Sequence, residues 1–256
     1  MENRKAREYE VELPVGYADD DGRLHRSALL KKMTGHEEAL LADRKLRKNG
    51  GKLVTELLAR CLRRLGDLEP VSTAVTASLT SPDRNFLLLE LRRITFGDEL
   101  EARYTCPACQ TSVDRRESLD EMPVRRANGG GAPDITVELE DGYEDGQGHV
   151  YTTMVFRLPT GRDEERIAPE MKDNASKGVN ALLARCLKGV GDMPDAKREA
   201  LGTRLIADLT MADRMRIERA MRTEMPGVDF RRSIECEECG HRFDVSLDLT
   251  SFFSIR

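Results

Sequence analysis

Six consecutive residues, Leu57-Leu58-Ala59-Arg60-Cys61-Leu62, return unchanged as Leu182-Leu183-Ala184-Arg185-Cys186-Leu187. Self-similarity at a fixed order constrains a fold more than composition does, because each copy must be able to form the same local structure. Other blocks recur around these six. Val11-Glu12-Leu13 returns as Val137-Glu138-Leu139, Gly16-Tyr17 as Gly142-Tyr143, and Thr34-Gly35 as Thr160-Gly161. Gly66-Asp67 returns as Gly191-Asp192, Leu79-Thr80 as Leu209-Thr210, and Asp83-Arg84 as Asp213-Arg214. The order is kept throughout, with small gaps between blocks. The chain therefore reads as a tandem duplication of one α+β module, with residues 1–124 as the first copy, 125–133 as a linker and 134–256 as the second. Asn128-Gly129-Gly130-Gly131, between Pro123 and Pro133, gives the linker its turn-rich, flexible chemistry.

Within the first copy, Val11, Leu13 and Val15 alternate with other residues, and Asp19-Asp20-Asp21-Gly22 supplies a turn. Residues 8–33 are thus expected to form a β-hairpin. Thr34 with Glu37 has the pattern of a capping box and predicts a helix running toward Lys48, broken by Asn49-Gly50-Gly51. Val54, Leu57, Leu58, Cys61, Leu62 and Leu65 lie at helical spacing and predict a second helix from about Lys52 to Leu65. Pro82, early after Thr80, suits the first turn of a third helix that stops at Gly97. Strand-like residues then lead into and out of Cys106-Pro107-Ala108-Cys109.

The second copy carries its own C-x-x-C, Cys236-Glu237-Glu238-Cys239. Two thiolates at this spacing on a tight turn supply half of a tetrahedral zinc shell. Cys106, Cys109, Cys236 and Cys239 are therefore expected to meet on one structural zinc that clasps the two halves. A shell of four sulfurs leaves no position open for a catalytic water. One zinc within a chain is preferred over one shared between chains. Gln110 stands where Gly240 stands in the second copy, so the first knuckle is expected to carry backbone strain. His241 reads as a surface residue, and Cys61 and Cys186 as core. A redox role for the C-x-x-C pairs is disfavoured because both sit between strands, where no helix begins beside the first thiol.

The chain has 41 basic and 46 acidic residues, a net charge of -5 and no tryptophan. Charges of both signs are interspersed, which argues against a dedicated nucleic-acid binder. Lys45-Leu46-Arg47-Lys48 with Lys52 is the one small basic cluster behind an alternative reading, a zinc-ribbon regulator associated with nucleic acid. No apolar run has the length of a membrane span. The N-terminal stretch has no secretory pattern, so the expected location is cytoplasmic. No phosphate loop, dinucleotide fingerprint or metalloprotease motif is present, and no catalytic residue is expected.

Phe86, Leu88 and Leu89 make the third helix of the first copy apolar all round, whereas the matching positions of the second are Arg216, Glu218 and Arg219. Such a helix must be covered on every face, either by the sister copy or by a partner. Phe86, Leu88 and Leu89, together with Phe252 and Phe253 of the apolar C-terminal tail, are expected to form a partner interface. The alternative is that they pack within the chain itself.

Leu13-Pro14-Val15-Gly16-Tyr17, Asp21-Gly22-Arg23-Leu24-His25-Arg26, the run from Met33 to Ala42, Leu57 to Cys61, Asp83 to Leu89 and the Cys106–Cys109 knuckle occur in one chain in this order. Together they resemble the baseplate hub assembly chaperones of T-even-type contractile phage tails, a family with relatives in phage-like contractile injection clusters of bacteria. The resemblance spans nearly the whole chain and is clearest in the first copy. It implies a non-enzymatic role in building or forming a baseplate hub, with hub or spike proteins as partners. It also implies location in the bacterial or infected-host cytoplasm, with retention in the finished particle left open. It transfers no catalytic residue.

Overall fold

A computed structural model describes residues 8–247 and Phe253. The chain is α+β. β1 (Glu8–Ala18) and β2 (Leu24–Lys31) form the expected hairpin. Its register shifts between Glu12 and Tyr17, where Gly16 takes a φ of 97°. α1 (Gly35–Leu41) opens on the expected capping box of Thr34 and Glu37 but ends at Leu41. A single 3-10 turn then leads to Asn49. Gly50 and Gly51 do not break a helix. They form the first turn of α2 (Gly50–Cys61), whose N-cap is Asn49.

α2 also ends earlier than its apolar spacing predicts. Leu62–Leu65 continues the helical spacing, yet it is β3, the third strand of the sheet β1-β2-β3. Pairing with β2 overrides the period, and both Leu62 and Leu65 point into the core. α3 (Thr73–Ser78) and α4 (Ser81–Phe96) follow, the latter capped by Thr80 and stopped at Gly97 as expected. β4 (Glu99–Thr105) and β5 (Ser112–Ser118) make a two-stranded ribbon with the first C-x-x-C at its tip.

Beyond β6 (Val124–Arg125), β7 (Ile135–Glu144), β8 (Val150–Phe156) and β9 (Leu187–Val190) form a second three-stranded sheet in the order β7-β8-β9. Its register shifts between Glu138 and Tyr143, with Gly142 at a φ of 79°. α5 (Gly161–Asp173) and α6 (Ala175–Cys186) lie between β8 and β9. α7 (Asp195–Leu201), α8 (Thr203–Ala207) and α9 (Met211–Glu224) come next. β10 (Gly227–Val228) precedes the second ribbon, β11 (Arg231–Glu235) and β12 (Arg242–Ser246), with the second C-x-x-C at its tip.

The two sheets have separate cores that meet. One is built on Leu13, Leu30, Leu57, Leu58, Leu65 and Leu87. The other is built on Met154, Phe156, Leu183, Leu205 and Ile217, and it takes in Val15 from β1. The stretch read as a linker is held to both halves. β6 pairs with β10, and Asp229 N donates to Pro123 O. Ala127 N donates to Pro14 O, and the Arg26 guanidinium donates to Gly129 O.

A second seam joins the halves through helices. Thr80 bridges to Thr160, Ser81 N donates to Pro159 O at 2.7 Å, and Gly161 N donates to Leu79 O at 3.1 Å. α5 lies against α2 so closely that a Cβ on Gly51 would stand 2.6 Å from Glu165 N. Only glycine permits that approach.

Candidate metal centre and the seam between halves

The ribbon strands bring the two knuckles together. Val113, Ile234, Cys106 and Cys236 form a small buried core, flanked by Tyr104, Phe243 and Val245. Arg115 crosses from one ribbon to the other, donating to the Glu237 carboxylate and the Glu235 carbonyl, and Arg232 donates back to Glu117. Each knuckle closes in the same way. Cys106 N donates to Thr111 O and Gln110 N to Cys106 O; Cys236 N donates to His241 O and Gly240 N to Cys236 O. Gln110 adopts a left-handed φ of 62° and Gly240 one of 70°. The Gln110 amide partly offsets its cost by donating to the Pro107 carbonyl.

The four sulfurs lie within 4.8 Å of one another. Cys106 Sγ is 3.7 Å from Cys239 Sγ, and Cys109 Sγ is 3.6 Å from Cys236 Sγ. A tetrahedral shell with metal–sulfur bonds of about 2.3 Å has sulfur–sulfur edges of about 3.8 Å. Both cross-half distances are close to that edge, so the donor set fits a thiophilic metal such as zinc. Hydrogen bonds from Thr111, then from Cys239, draw the Cys109 thiol down to about 6. At Cys239 the His241 amide pulls down, but sharing hydrogens with Cys109 and burial prevail and push it up to about 12. His241 stands apart and stacks on Phe243. Cys61 and Cys186 are wholly buried in the two sheet cores.

The residues expected at a partner interface lie elsewhere. Phe86, Leu88 and Leu89 are buried within the chain's own cores. Phe253 is partly buried and packs on the same cores, while Phe252 lies outside the described residues. α4 is covered because the first sheet, β10 and the tail side chain Phe253 surround it.

Sequence reasoning missed the polar centre of the seam. Arg84 is fully buried. Its Nε donates to Glu164 at 3.0 Å, its Nη1 to Thr55 and the Thr76 carbonyl, and its Nη2 to the Gly51 carbonyl. Gly161 makes room for it, since a Cβ there would lie 2.6 Å from Arg84 Cζ. The neighbouring Asp83, also fully buried, accepts from Val15 N, Gly16 N and the Thr80 hydroxyl, which locks the kink in β1 onto α4. Asp213 accepts from Glu140 N, Asp141 N and Gly142 N in the same way. The recurrence of Asp83-Arg84 as Asp213-Arg214 was the available signal.

Fold and site together define a class: an α+β protein with two three-stranded sheets of like order, joined by backbone pairing and a buried arginine, and with four convergent thiols that could hold a metal. The chain belongs to the family described as T4 bacteriophage base plate protein, whose model matches residues 6–254. No curated protein and no solved structure matches it. Among the described residues, no helix is long and apolar enough to cross a membrane.

Proposed function

We propose that this chain is a non-enzymatic structural or assembly protein of the baseplate hub in a contractile tail or injection system, and that one zinc on Cys106, Cys109, Cys236 and Cys239 clasps its two halves. The observation that carries the role is membership of the base plate family over nearly the whole chain. The clasp is supported by four sulfurs from two distant C-x-x-C turns, spaced as the edges of a tetrahedral shell. A tandem duplication is supported by the recurrent sequence blocks, the same strand order in both sheets and the same register shift in both hairpins. On this reading residues 1–124 and 134–256 are the two modules. Each is small enough that docking and a metal staple add stability it would otherwise lack.

The regulator reading gains nothing from the ribbons. Their arginines pair with acids: Arg103 with Asp114, Arg115 with Glu237, Arg116 with Glu99, and Arg242 with Glu235. A nucleic-acid surface needs cations free to meet phosphates.

The test is to express a tagged chain with the contractile-tail genes of its host and identify what purifies with it. Hub or spike proteins in stoichiometric amounts support the proposal. Recovery of the chain alone, together with tight salt-dependent DNA binding, would replace it with the regulator reading.

A further inference from the structure

Four helices stand in a row, α1 on α2, α2 on α5 and α5 on α6. The middle contact joins the two halves and is heterologous: the α2–α4 face of the first half meets α5 of the second. Each half therefore also owns the complementary surface that this contact does not use. On the first half it is α1, where Thr34, Gly35 and Glu38 correspond to Thr160, Gly161 and Glu164. On the second half it is the α6–α9 face, where Thr210 and Arg214 correspond to Thr80 and Arg84, and Asn180 to Thr55.

We propose that a second copy of this chain docks its α1 on the α6–α9 face of the first, repeating between copies the contact that α5 makes within one. The inference rests on the correspondence between the two halves set out above. Thr80, Arg84 and Gly161 are buried at the internal seam; their counterparts at the unused surfaces are less covered, Arg214 only partly so. Thr34, Gly35 and Glu38 are exposed, as is Thr210. A Cβ on Gly35 would meet nothing within 4 Å, whereas its counterpart Gly161 must be glycine to admit Arg84. The charges are complementary: Glu38 is exposed on one surface, and Arg214, partly buried and paired with Glu218, lies on the other.

Two further details favour occupation. Asn180 Oδ1 is buried without a hydrogen-bond partner, at the position where Thr55 receives a hydrogen from Arg84. Met211 and Met215, 73% and 65% exposed, stand on the α9 face. Thr34, Gly35 and Glu38 border a groove of about 940 Å³ with Leu41 and Leu53 in its lining. Those methionines are the apolar side chains that docking would carry to that groove.

The copy–copy contact differs from the internal one in two ways. Ser176 replaces Gly51, so α6 cannot approach its neighbour as closely as α2 approaches α5. Arg214 is held meanwhile by Glu218 and Ser176 and must exchange those partners. The contact is therefore weaker than the internal seam and reversible. Because it is head-to-tail, it builds a ring if the rotation closes and an open row if it does not.

Sedimentation of the full chain over a range of concentrations tests this, with zinc counted in the same samples. The wild type is expected to gain mass above its 28.8 kDa monomer as concentration rises. Glu38→Arg and Arg214→Glu, each placing like charges face to face, should each weaken association roughly tenfold or more. Mixing the two variants should restore it, because each then meets its complement; a merely misfolded variant would not be rescued. A wild type that stays monomeric, association indifferent to both substitutions, or a mixture that fails to recover would overturn the docking. A monomer holding one zinc overturns the docking and leaves the clasp standing, whereas association governed by Glu38 and Arg214 without zinc supports the docking and removes the clasp.

Discussion

Arg84 of the first half and Glu164 of the second meet at 3.0 Å in the seam, the arginine side chain fully buried and the glutamate about a quarter exposed. A buried guanidinium is tolerated only when its donors are satisfied. Here the Thr55 hydroxyl and two backbone carbonyls accept alongside Glu164, so the arginine reads the shape of three helices at once.

Arg84→Ala leaves those acceptors without a donor and should lower the unfolding free energy by about 3–5 kcal/mol. Arg214→Ala, whose parent side chain lies nearer the surface and is held by Glu218, should cost about 1 kcal/mol or less. Urea unfolding of both variants beside the wild type measures the difference.

Gly161→Ala forces a methyl against the Arg84 guanidinium and the Ala77 carbonyl. Overpacking of this kind costs about 1–3 kcal/mol. Gly35→Ala, at the open counterpart, should change monomer stability by no more than about 0.5 kcal/mol. Thermal unfolding in dilute solution separates the two.

Asp83 links pH to the kink in β1. Burial pushes its carboxyl up from 3.8 to about 6, against the pull of hydrogen bonds from Val15, Thr80 and Gly16. A raised folded value means that the folded chain holds the proton more tightly than the unfolded one. Its contribution is fullest below 3.8 and is lost as pH rises through about 6. Asp83→Asn removes that titration and places an amide hydrogen opposite a backbone N–H, at a cost of about 1–3 kcal/mol. The stability gap between wild type and variant should therefore shrink from about pH 4 to about pH 7. A gap that widens over this interval would contradict the assignment.

Much of this architecture was legible in local chemistry. The hairpin alternation, the Thr34 and Thr80 caps and the strands around each knuckle are set by near neighbours, and sequence carries them plainly. Leu62–Leu65 was not legible, because two leucines three apart fit a helix as well as a short strand, and only pairing with β2 decides between them. Gly50-Gly51 looked like a break because the reason for glycine at position 51, the backbone of α5, lies more than a hundred residues away. Arg84 hid for the same cause: its partners come from α2, α3 and α5. The cysteines were readable because metal-ligand chemistry fixes both residue type and spacing. The apolar run of α4 signalled that something must cover it, but not that its own chain would.

The central claim, that two distant C-x-x-C turns make one metal centre joining the halves, is tested most directly by native mass spectrometry with zinc quantified. The samples are the wild-type chain and Cys236→Ser. One zinc per chain, lost in the variant, is the predicted result. Two zincs per chain, zinc found only in dimers, or free thiols with no metal would contradict it.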